Sequence, residues 1–301
     1  MRKGIKGNRK KEGLAGYLFA SPWLFGICAF LFYPLMMSIY YSFCDYSVLR
    51  PPVWIGMDNY NELFHDEVFW ISVKNTLFYA AFSLPLGMFF GVGLAMLLNT
   101  NVKGMSIYRT IFFIPSLVPM ISLAVLWLWM LNGDHGILNM GINGLHIKGL
   151  KGPNWLTDTA WSKPALILMS VWGVGNAMLI YLASLQDVPV SLLEASELDG
   201  ATAWQKTRNV TLPMISPVIQ FNMIMGIIGS LQVFAVPYVM FPNGSPARSA
   251  YFYATYLYDN SFIYSKMGYA CAMGWILFLV ILVLTLGALK LSNKHVHYGG
   301  T

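Results

Sequence analysis

SLLEASELDGATAWQKTRNVTLPMISP, residues 191–217, is a polar and amphipathic stretch set between two strongly apolar ones. Ser191-Leu192-Leu193-Glu194 reads as a capping box, with Ser191 capping a helix start and Glu194 reaching back to it. A short helix follows and stops at Gly200, the residue type that tolerates the left-handed turn ending a helix. Thr202-Ala203-Trp204-Gln205 repeats the box and opens a second short helix. Pro213 can begin a third, since the first-turn amide it lacks would be unpaired anyway. The expected unit is a helix–turn–helix outside the apolar segments, with Leu192, Leu193, Ala195 and Trp204 available for packing. On local chemistry alone an interfacial loop with coincidental caps fits as well, because short box matches arise often.

Working outward, the flanks are apolar over long runs. The 301 residues are 56% hydrophobic and 11% charged, against about 25% charged in soluble domains. Apolar runs of about 20 residues read as membrane spans. Six are expected: about 14–41, 75–98, 108–131, 164–185, 213–239 and 268–289. The chain divides into a basic segment 1–13, a six-span domain 14–290 with the polar region 189–213 inside it, and a tail 291–301. Residues 45–72 read as a compact acidic loop, 132–163 as an irregular glycine-rich one and 241–266 as an aromatic one. MRKGIKGNRKK opens the chain with six Lys or Arg. The apolar run behind it is too long, and lacks the small-residue site, for a signal peptide. Twelve Lys or Arg fall on the side of the termini and seven on the other, spread over longer loops. The positive-inside rule then places both termini and the 189–213 region in the cytoplasm.

Several chemistries are excluded. No G-x-x-x-x-G-K-[ST] loop occurs, so the chain is expected to bind no ATP itself, and neither H-E-x-x-H nor G-x-S-x-G is present. No catalytic residue and no metal site is expected. Cys28, Cys44 and Cys271 are scattered through apolar runs and read as small core residues, and His295 and His297 as solvated tail residues. The positive charge gathers at one membrane face, which argues against nucleic acid. Charges are nearly missing from mid-span positions, so an ion-coupled carrier lacks its usual intramembrane acid or base. Energy is expected from a partner.

The longer pattern is a family signature. Glu194-Ala195-Ser196, Asp199-Gly200-Ala201, and Val210-Thr211-Leu212-Pro213, which follows Gly200 after the nine residues 201–209, resemble the EAA loop of ATP-binding cassette importer permeases. Ser196 stands where that pattern has a second Ala, and Val210 where it has Ile. Trp54-Ile55-Gly56-Met57-Asp58-Asn59-Tyr60, Phe69-Trp70, Asn75-Thr76 and Asn243-Gly244-Ser245-Pro246 resemble further segments of the carbohydrate-uptake branch, which includes maltose and glycerol-phosphate permeases. The resemblance covers nearly the whole chain from Leu14. It implies an all-α polytopic membrane protein of the type I importer permease fold, in a bacterial or archaeal cytoplasmic membrane. It further implies a second, related permease, two ATPase subunits carrying ATP and Mg, and an external solute-binding protein. Glu194, Ala195, Ser196, Asp199, Gly200, Ala201, Leu212 and Pro213 would then form the coupling helix that docks on an ATPase.

Aligned from Glu194 and Pro213, the resemblance carries the sugar-contacting positions of the maltose permease onto Trp172, Gly173, Asn176, Gly226, Gly229, Ser230 and Val233. Several side chains there differ from that permease, Gly229 and Ser230 among them. Trp172 and Asn176, four apart, are expected on one helix face, and the Gly226–Val233 stripe on another. Ordinary close packing is the other reading of the small-residue stripe. Gln232 joins the candidate path from its residue type alone, off the stripe. The expected function is the permease subunit of an ATP-driven, binding-protein-dependent importer of a sugar, an oligosaccharide first. A glycerol-phosphate, a polyol or another non-sugar solute is the alternative, with half of an inverted-repeat secondary carrier or a membrane scaffold behind it.

Overall fold

The computed structural model describes residues 16–100, 102–147 and 151–292. The basic segment 1–13, Lys148 and the tail beyond Ser292 lie outside them. Contacts divide the chain into two units, 1–65 with 258–276 and 66–257 with 277–301.

In the first unit, α1 (Gly16–Ser42) is an apolar helix that widens into a π turn at Cys28–Phe32, just before Pro34. Pro34 has no amide to offer the preceding turn, and the wider turn accommodates that loss. Residues 45–72, expected as a loop, hold more order. Strands β1 (Cys44–Ser47) and β2 (Arg50–Trp54) pair antiparallel, and α2 (Asp58–His65) follows. The Asn59 amide donates to the carbonyls of Ser42 and Cys44, both at 2.9 Å, where the end of α1 leaves acceptors without helical partners. Phe43 lies 5.5 Å from the rings of Trp54 and Tyr60. A Cβ on Gly268 would overlap the Cys44 carbonyl oxygen, so only glycine permits that approach. The Trp275 indole donates to Ser38 at 3.2 Å, and Lys266 pairs with Glu62 at 2.8 Å.

The second unit begins at Asp66, whose carboxylate accepts the Val68 amide at 2.8 Å and caps α3 (Glu67–Leu98). That helix therefore starts at Glu67 rather than at Asn75. At its other end the Arg109 guanidinium donates to the Leu98 carbonyl at 2.9 Å, a cation against the negative end of the helix dipole.

Three expected spans are broken. In the third, α4 (Met105–Leu117) and α5 (Met120–Met130) meet at 99°, because Val118 and Pro119 are extended, as the residue before a proline prefers. The fourth is α7 (Ser162–Trp172) and α8 (Gly175–Gln186), bent 41° at Gly173-Val174. In the fifth, α11 (Ser216–Leu231) stops before α12 (Ala235–Met240). Between the third and fourth stands α6 (Ile137–Gly144). Its Asn139 is almost fully buried. That side chain donates to the carbonyls of Gly133 and Pro153 and accepts from the Trp155 indole, which organises the glycine-rich stretch. Helices α9 (Val190–Leu198) and α10 (Ala203–Lys206) precede α11, the latter running on through a π turn, Thr207–Thr211, and Leu212–Met214. Then come α13 (Tyr253–Tyr258) and the apolar α14 (Met267–Ser292). Four described helices are long and apolar enough to cross a membrane, Ser216–Met240 counted as one through its irregular residues 232–234, or up to six spans if each of the two bent pairs, α4–α5 and α7–α8, is one. One core gathers Trp127, Leu131, Trp155, Leu166, Phe241 and Phe252. Another gathers Ala95, Leu98, Met178, Tyr181, Leu185 and Ile215.

Candidate functional site

The segment between α8 and α11 forms the expected helix–turn–helix, with two corrections. Pro189, not Ser191, holds the N-cap position of α9, and no side chain caps it. A proline with fixed φ supplies the start, and Ser191 stands inside the first turn. Pro213 does not open α11 either. It lies in the Leu212–Met214 turn, and the span restarts at Ser216 with Pro217 in its first turn. The second box forms as expected. The Thr202 amide donates to Gln205 Oε1 at 2.8 Å, and the Gln205 amide donates to Thr202 Oγ1 at 3.4 Å.

Between the two helices Gly200 has φ +76°. The Ala201 amide reaches back to the Ser196 carbonyl and the Gly200 amide to that of Glu197, both at 3.0 Å. This pattern of returning bonds is the one glycine makes available at a helix end. Across the turn the Lys206 ammonium donates to Glu197 at 2.6 Å. That hydrogen bond, and then the Lys206 charge, hold the Glu197 carboxyl below the usual carboxylate range. Leu193 and Leu212 pack on the core that includes Tyr181 and Ile215, tying the segment to the spans. Its other side is open: Leu198 is 90% exposed, Trp204 69% and Val190 65%. Glu194, Ala195, Asp199 and Gly200 are exposed, while Ser196, Ala201, Leu212 and Pro213 are partly buried.

Inside the second unit a cleft of about 320 Å³ lies among α3, α7, α8 and α11. Gly173, Gly226, Gly229 and Ser230 line it. Trp172, Asn176, Gln232 and Val233 do not. The break at Gly173-Val174 separates Trp172 from Asn176, so they share no continuous helix face. Trp172 meets Trp127 edge to face, centroids 6.0 Å apart, beside a separate apolar pocket. Asn176 and Gln232 are exposed. Val233 falls in the break after α11 and packs on the core around Trp127.

The polar wall of the cleft comes from residues not singled out in the sequence: Tyr79, Ser83, Ser170 and Asn222. The Tyr79 hydroxyl lies close to the Ser170 and Ser83 side chains. Their signal was available, since Tyr79 and Ser83 are four apart on α3, and Asn222 stands four before Gly226 on α11. Hydroxyls and a carboxamide along one side of apolar helices suit a ligand rich in hydroxyl groups. Among the described residues no His, Cys, Asp or Glu cluster could hold a metal ion.

Broken spans around a cleft with one polar wall, and an exposed helical hairpin between two of them, fit a transport permease with the type I importer fold. Residues 83–298 match the family described as "Binding-protein-dependent transport system inner membrane component", and the chain belongs to that family. It is 37% identical to the "Probable ABC transporter permease protein YesP" of Bacillus subtilis (strain 168), over 96% of this chain and 94% of that one. It is 32% identical to the "Arabinooligosaccharides transport system permease protein AraP" of the same organism, over 93% of this chain and 89% of that one. Among solved structures it resembles a chain of a bacterial ABC transporter involved in the import of the acidic polysaccharide alginate. The TM-score is 0.83 at 26% identity, covering 97% of this chain and 99% of that one.

Proposed function

We propose that this permease moves an oligosaccharide across the cytoplasmic membrane, with ATP and Mg bound by two separate ATPase subunits. A second, related permease completes the path, and an external binding protein delivers the solute. Both termini and the α9–α10 hairpin face the cytoplasm. The exposed apolar tip of that hairpin carries the reading: Val190, Leu198 and Trp204 lie uncovered beside Glu194 and Asp199, in a segment anchored to the spans by Leu193 and Leu212. Closure of the ATPases would shift the hairpin and, through that anchor, bias the spans between inward-open and outward-open arrangements. Gly173, Gly226, Gly229 and Ser230, with Tyr79, Ser83, Ser170 and Asn222, form the proposed path. Trp172, Asn176, Gln232 and Val233 are left out of it. The names of the similar arabinooligosaccharide and alginate transporters support a saccharide, as does the hydroxyl-lined wall.

The test is Gly200→Val in the reconstituted complex. A β-branched residue at positive φ costs about 1–3 kcal/mol and opposes the turn. Membrane insertion should be normal and uptake of a labelled oligosaccharide lost. Uptake at the wild-type rate would remove the hairpin from the coupling role.

A further inference from the structure

Outside the cleft, one feature joins a long apolar groove to a charge without a counter-charge. The groove encloses about 450 Å³ between α3 and α7, and every residue lining it is apolar. Phe78, Phe82, Leu86 and Phe90 run along α3 at every fourth position, and Pro164 and Leu168 belong to the facing wall. From Phe78 to Phe90 the stripe is about 18 Å long at helical rise, roughly the reach of a phospholipid acyl chain in a hydrocarbon layer half of ~30 Å. At the Phe78 end stands Lys163. Its ammonium lies 5.5 Å from the Phe78 ring centre and donates to the Asn75 side chain at 3.1 Å and the Ser249 carbonyl at 3.2 Å. Both acceptors are neutral, and no carboxylate pairs with Lys163 among the described residues.

A tether for the 245–252 loop would account for the two hydrogen bonds. It accounts neither for the half-buried charge left without an anion nor for the groove that opens beneath it. We propose that the groove and Lys163 together hold an anionic phospholipid, with one acyl chain along the Phe78–Phe90 stripe and the phosphate on the Lys163 ammonium. The opposite charge of the phosphate completes the third donor position of the ammonium, and the acyl chain covers the aromatic stripe that the chain itself leaves open. A transmembrane helix of another subunit would fill the groove without answering the charge.

The experiment is native mass spectrometry of the purified complex, re-lipidated with phosphatidylglycerol or with phosphatidylcholine. The wild type should retain phosphatidylglycerol about five-fold better than phosphatidylcholine, the value of one basic side chain near an anionic headgroup. Lys163→Gln should lose that preference and Lys163→Arg keep it, which separates charge from folding. Leu86→Trp, filling the groove, should lose both lipids with Lys163 intact. Equal retention by the wild type, Lys163→Gln and Leu86→Trp would overturn the site. Efficient cross-linking of Leu86→Cys to another subunit would overturn it too, since protein and not lipid would then cover the stripe.

Discussion

Tyr181 is fully buried, yet its hydroxyl has no hydrogen-bond partner among the described residues. Its ring edge lies where a Cβ on Gly91 would stand 3.1 Å away, so α3 and α8 approach closely around it. An unanswered buried hydroxyl destabilises by about 1–3 kcal/mol. Tyr181→Phe should therefore leave the thermal stability of the purified permease unchanged or raise it, by up to about that amount. A lower midpoint would mean that the hydroxyl is bonded to something outside this chain. Arg109, by contrast, has its acceptor in the Leu98 carbonyl. Neither role was legible in the sequence: a Tyr in an apolar run reads as packing, and a lone Arg near a span end reads as topology.

At the scale of elements, the α9–α10 hairpin combines a legible part with a hidden one. The Thr202 box and the Gly200 turn follow from local chemistry and appear as expected. The Ser191 box does not, because Pro189 starts the helix earlier than any side-chain cap could. Nor was the β1–β2 hairpin visible, since Val48-Leu49 at its turn carries none of the Gly or Asn that mark tight hairpins. The broken spans were obscured by their own composition: apolar residues on both sides of Pro119 and of Gly173 read as one run. Of the residues lining the cleft, Gly173, Gly226, Gly229 and Ser230 were singled out in the sequence, while Tyr79, Ser83, Ser170 and Asn222 were not. The Lys206–Glu197 bridge, which joins the two helices across Gly200, was also unforeseen. Because the Glu197 carboxyl is held below its ordinary range, the bridge contributes above the free carboxylate value of about 4.3. It is lost as pH falls through the lowered value. A spin label on Leu198→Cys should become more mobile as the pH falls from above about 4.3 through the lowered Glu197 value. With Glu197→Gln added, the label should be mobile throughout. Superimposable profiles would deny the bridge any part in stiffening the hairpin.

For the whole molecule, the excess of basic residues on one side predicts which ends face the cytoplasm. In a cysteine-free background, Gln205→Cys should react with an impermeant reagent only from the cytoplasmic side, and Gly141→Cys only from outside. Both positions are exposed, so failure to react could not be put down to burial. The reversed pattern would carry the hairpin away from any ATPase. The bent spans have a consequence for how the protein is made. α5 and α7 have 11 residues each and α8 has 12, about 17–18 Å of helix against a hydrocarbon core of ~30 Å. None can cross alone, and each break leaves backbone groups that lipid cannot satisfy. During synthesis α1, α3, the Ser216–Met240 segment and α14 are each long enough to leave the translocon alone, whereas α4–α5 and α7–α8 need both halves of the pair before either can span. The order of insertion is thus written into the same breaks that shape the cleft.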